Sequence, residues 1–155
     1  MENTYLSRII ANYQTQYDLY NQVKELSFKQ VEIFQDIDKD ISYILNTTLN
    51  ARMTIMNEIA ILNEDNKDIQ NFLLTSLDKK EFVISQLEGL VAEDLINELK
   101  KVILALGDLL AQINSNDKLN EILLKQTATK KPDFQKANSI TKVSNAYKKA
   151  MEKPE

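Results

Sequence analysis

Turn-formers are nearly missing from this chain: its 155 residues hold two glycines and two prolines, against averages of roughly 7% and 5%. A many-stranded sheet needs a tight turn at every hairpin, so this scarcity excludes one and leaves long helices with few corners. Cysteine is absent, which removes disulfide and thiolate chemistry and leaves the redox compartment unreadable. Histidine is absent too. With it goes the commonest side chain for proton transfer near neutral pH, the commonest transition-metal ligand, and the carboxylate–histidine pattern of di-iron bundles. No glycine-rich loop is available to cradle phosphate. No apolar run is long enough for a transmembrane helix, and the opening stretch MENTYLSR has neither the basic nor the apolar region of a secretory signal. The paired acids Glu64-Asp65 and Glu93-Asp94 fall where helices start or stop, the place of solvated caps rather than of an acid–base pair. These absences predict a soluble cytoplasmic protein that is not an enzyme and holds no cofactor and no metal.

What is present is helical periodicity. Apolar residues make up 43% of the chain and charged residues 27%, ordinary for a globular domain, and a chain of this length buries roughly 70% of its unfolded surface. Leu6, Ile10, Tyr13, Tyr17, Tyr20, Val31 and Phe34 follow an alternation of threes and fours. Val23, Leu26 and Ile33 widen the stripe, and Lys24 and Ser27 interrupt it. This predicts a helix over 4–35, in which the tyrosines pack with their hydroxyls at the edge. DIDKD at 36–40 breaks it and caps the next helix. A second seam runs Ile41, Leu45, Thr48, Arg52, Ile55, Ile59, Leu62, Asn66, Ile69 and Leu73, ending near residue 74; within it, NEDNKD at 63–68 reads either as a polar helical turn or as a loop. In EFVISQLEGL, Ser85 is expected to cap one helical turn closed by Gly89, tucking Phe82 and Ile84 under the helix ends. A third long helix is expected from Ala92 to Gln126, with Glu93 and Asp94 suiting the positive end of its dipole and Lys125 the negative end. Gly107 in its middle marks either a close approach to a neighbouring helix or simple tolerance.

The third seam raises a question of its own. Leu95, Leu99, Val102, Leu106, Leu109 and Ile113 keep the alternation, and its next two places hold Asn116 and Asn120, followed by Leu123. Three readings stay open: a polar layer that fixes helix register, a frayed and wet helix end, or a face meant for a partner. Beyond 126 the composition changes. From Lys125 to Glu155 there are eight lysines and three acids, a net of +5, whereas the preceding part carries eleven basic against twenty acidic residues, a net of −9. Ile140, Val143, Tyr147 and Met151 form one short apolar stripe there, past Pro132. The fold expected is therefore all-α: an elongated antiparallel bundle of three long helices over 1–126 with a short connector helix, followed by a flexible, basic, amphipathic C-terminal tail over 127–155. The tail lacks arginine and trails an acidic body, so nucleic acid is not the partner expected of it, nor is stable membrane insertion.

The order of these features resembles the FlgN family of flagellar export chaperones. LYNQVKELSFKQVEIFQD at 19–36 followed by IDKDISYIL looks like that family's long first helix, acidic break and second helix. EFVISQL at 81–87 is similar to its short element before the last long helix. Asn120 with Leu123 and Leu124 matches the second half of an Ile-Asn-x-x-Asn-x-x-Leu-type signature; the place of the first Asn holds Asp117, with Asn114 and Asn116 beside it. The resemblance spans about residues 5–126. It implies a cytoplasmic chaperone, monomeric or weakly dimeric when free, that binds C-terminal helical segments of hook-associated flagellar proteins and brings them to the type III export gate. Partner binding is expected at Ile113, Asn116, Asn120 and Leu123 on the third helix together with Ile140, Val143 and Tyr147 of the tail, a client helix laid between them. The rivals from other classes are a coiled-coil scaffold module that self-associates and a regulatory four-helix protein with a small acidic or helical partner.

Overall fold

The structure, a computed structural model, describes residues 1–35 and 41–130, and side chains over 1–34 and 43–126. Four helices follow in order: α1 (Glu2–Gln35), α2 (Ile41–Leu77), α3 (Ile84–Leu87) and α4 (Glu93–Lys130). There is no strand among the described residues, as the scarcity of turn-formers requires. The α2 helix runs unbroken through NEDNKD, because Asn66 occupies a seam position and is buried there.

The three long helices run up, down and up. Asn12 of α1 donates to Asn66 of α2 (2.8 Å), Gln16 donates to Asn63 (2.9 Å), and Ser76 donates to Glu2 (2.6 Å), so these two helices are antiparallel. The backbone N–H of Ala92 donates to Asn3 (2.9 Å) and Ser27 donates to Asp117 (3.2 Å), so α4 starts beside the start of α1 and runs parallel to it. Backbones approach closely between α1 and α2 and between α1 and α4, but not between α2 and α4. The central helix is α1, flanked by the other two. At 38 residues α4 extends about 57 Å, at 1.5 Å per residue.

Each end of the connector has its own device. The α2 helix closes with Lys79 N–H donating to Leu74 C=O (2.9 Å) and Asp78 N–H to Thr75 C=O (3.3 Å). This paired closure puts Asp78 in the left-handed region at φ 56, a conformation Asp adopts more readily than most residues. The cap of α3 is Val83 rather than Ser85, and it offers no side-chain hydrogen bond; Ser85 lies inside the turn because the extended Val83 already sets the helix direction. Gly89 ends the connector at φ 81, where a side chain would strain the backbone. Leu87 is its deepest anchor, buried in the core with Leu6, Ile9 and Leu99 and with Phe82 and Ile84 packed against them.

Gly107 is a case of tolerance. A Cβ built there meets nothing within 4 Å, so no neighbouring backbone requires the glycine. Gly107→Ala is expected to stabilise the protein by about 0.5–1 kcal/mol, read as a raised urea midpoint with an unchanged slope; a lowered midpoint would contradict it.

Candidate functional site

The first feature of note is a polar layer across all three long helices. On α1 the buried seam is Leu6, Ile9, Gln16, Tyr20, Val23, Ser27, Gln30 and Phe34, so Ser27 belongs to the core face instead of interrupting it. On α2 the layer holds Arg52, and on α4 it holds Asp117 and Asn120. The Arg52 guanidinium grips the Asp117 carboxylate with both ends of its fork, Nη1 to Oδ1 at 2.6 Å and Nη2 to Oδ2 at 2.7 Å. Asn120 Nδ2 donates to the Ser27 backbone carbonyl (2.9 Å) and lies 3.3 Å from both Ser27 Oγ and Gln30 Oε1. Both ion-pair side chains are about 3% exposed, and a long arginine spans the gap where the α2 and α4 backbones stay apart. Arg52 Nε, Gln30 Nε2 and Asn120 Oδ1 are buried there without a hydrogen-bond partner. Burial pushes the Tyr20 phenol above its ordinary value, and the Arg52 charge opposes that shift. The layer separates the main core from Phe34, Leu45, Leu49 and Leu124, which are buried at the far end.

The amides on α4 thus divide. Asn120 is 0% exposed and Ile113 5%; both point into the bundle, so neither presents a surface to a partner in this fold. Asn116 and Leu123 are half-buried, on the flank of the seam. The buried positions run Leu109, Ile113, Asp117, Asn120 and Leu124, with Asp117 and Leu124 one residue on from the strict heptad. A straight helix of 3.6 residues per turn drifts about 20° per heptad against a 3.5 repeat, and after several turns the drift brings Asp117 inward in place of Asn116. Ile140, Val143 and Tyr147 lie outside the described residues.

The second feature lies along one side of the α1–α4 pair. Its lower part is an open groove of about 350 Å³ with Tyr17, Val102 and Ala105 among its lining and Asp18, Glu98 and Lys101 beside them. Helical spacing carries the same side upward: Gln14 and Phe28 stand two heptads apart on α1, as do Ala105 and Leu119 on α4. At the level of the polar layer this side exposes apolar surface, with Phe28 at 49%, Leu119 at 44% and the adjoining Ile122 at 54%, next to half-buried Leu123. The Asn116 Nδ2 is buried beside them with no hydrogen-bond partner. Among the described residues no cluster of acids could hold a metal ion and no helix is long and apolar enough to cross a membrane.

Fold and site together define an all-α bundle of three long helices, pinned by an internal ion-pair layer and carrying a lateral groove with exposed apolar side chains above it. Compared with family models, with curated proteins and with solved structures, the chain finds no match.

Proposed function

We propose that this protein is a secretion chaperone of the FlgN type, which binds C-terminal helical segments of hook-associated flagellar proteins in the cytoplasm and holds them unassembled until export. The observation that supports the reading is the apolar surface above the groove, where Phe28, Leu119 and Ile122 keep large apolar side chains exposed. Ile122 and Leu123 follow Leu119 at three and four residues, the spacing onto which an amphipathic client helix lays its own stripe. The reading places the client beside Asn116 and Leu123 and outside the seam, since Ile113 and Asn120 are occupied within the bundle.

The test is titration of the purified chain with the C-terminal segments of hook-associated proteins. Saturable binding is expected, and replacing Leu119 and Ile122 together by Asp should weaken it tenfold or more, about 1.4 kcal/mol. Thermal stability should move little, because both side chains are on the surface. The same strip would also serve a scaffold in which copies of this chain pair with one another. A stable oligomer at micromolar concentration, abolished by the same two substitutions and indifferent to the client segments, would favour that reading instead.

A further inference from the structure

We propose that the lower groove between α1 and α4 is the docking site of this chain's own segment 140–151. Three observations converge. The first is charge. The groove is flanked by the acids Asp18 and Glu98, with Lys101 as the cation of its lining, on a body of net charge −9. The segment beyond residue 130 carries six lysines against three acids. The second is apolar complementarity. Tyr17, Val102 and Ala105 line the groove, and Ile140, Val143, Tyr147 and Met151 recur at steps of three, four and four. That stripe is too short to hold a helix without a surface to bury it.

The third is reach. The chain leaves α4 at Lys130, and nine extended residues span about 30 Å at 3.3 Å each. Along α4 the same distance corresponds to about 20 residues of helical rise, which brings position 140 to the level of residue 110 when the connection is taut. Twelve helical residues then cover about 18 Å more, down to the level of Glu98. Any slack in the connection slides the stripe toward Lys130 without taking it off the same side of α4. At full extension the stripe spans the levels of residues 110 to 98, which include the groove.

The proposal is independent of the client reading, since no client enters its test. The chain has no cysteine, so pairs can be introduced cleanly. Ala105→Cys would be combined with Ala146→Cys or with Ala150→Cys. In the control, Ile103→Cys, on the opposite flank of α4 at about 100° per residue, carries the same tail cysteines. Disulfide formation in the monomer is expected at least tenfold faster for at least one position-105 pair than for its position-103 control. Asp18→Lys with Glu98→Lys should slow it severalfold while leaving the helical circular dichroism unchanged. Equal rates for the two flanks, or indifference to the charge reversals, would overturn the proposal. So would disulfides found between chains alone, which would make a second copy the occupant.

Discussion

Asp117→Ala is expected to cost about 3–5 kcal/mol of folding stability, because it leaves the Arg52 guanidinium charged, buried and unpaired. For a chain of this size that corresponds to a fall in melting temperature of roughly 10 °C or more, measurable by calorimetry or by the loss of helical circular dichroism. The informative comparison is the double replacement Arg52→Met with Asp117→Leu. A buried ion pair regains little more than the desolvation it suffers, so an apolar pair of similar volume should restore stability to within about 1 kcal/mol of the parent or exceed it. Removing Arg52 also removes a buried Nε that has no hydrogen-bond partner. The double-mutant cycle would therefore show a coupling of several kcal/mol between two positions 65 apart in sequence. A single-mutant effect under about 1 kcal/mol would mean that the pair is open to water in solution.

The second large effect is expected in the main core. Leu99 is fully buried in the main core, and Leu99→Ala should lower stability by about 2–5 kcal/mol through lost transfer energy and the cavity left behind. Leu104, on the outer surface of the same helix, is the matched control: Leu104→Ala should change stability by less than about 0.5 kcal/mol. Denaturant titrations of the two variants should differ in midpoint and share a slope. If both moved the midpoint equally, α4 would not pack on the face the structure gives it.

Why a bundle with an adequate apolar core keeps an ion pair inside it follows from the arrangement. Three long apolar stripes can slide past one another in heptad steps with little change in buried area. A fork of two hydrogen bonds from Arg52 to Asp117, joined to Asn120 on the Ser27 carbonyl, is satisfied in one register alone. Slipping by a heptad would bury both charges apart. The layer thus defines the axial position of all three helices.

Much of this was legible along the chain. Scarce glycine and proline dictated helices, and the stripes located all three long ones and the connector between them to within a few residues. The α2 seam already contained Arg52, Thr48 and Asn66, all of which are buried, because a period of 3.5 holds well over a helix packed along its whole length. Pairing and phase were not legible. Arginine on one apolar stripe and aspartate at the edge of another signal a buried pair only once the antiparallel path of α2 brings residue 52 level with residue 117. Asp117 replaces Asn116 on the inside because helical drift accumulates over turns, and where it takes effect depends on how closely α1 holds α4. The same dependence decided that Asn120 faces Ser27 rather than a partner, and that the exposed apolar surface gathers at Leu119 and Ile122. Periodicity specifies which residues share a face of one helix; only the packed neighbours determine what that face meets.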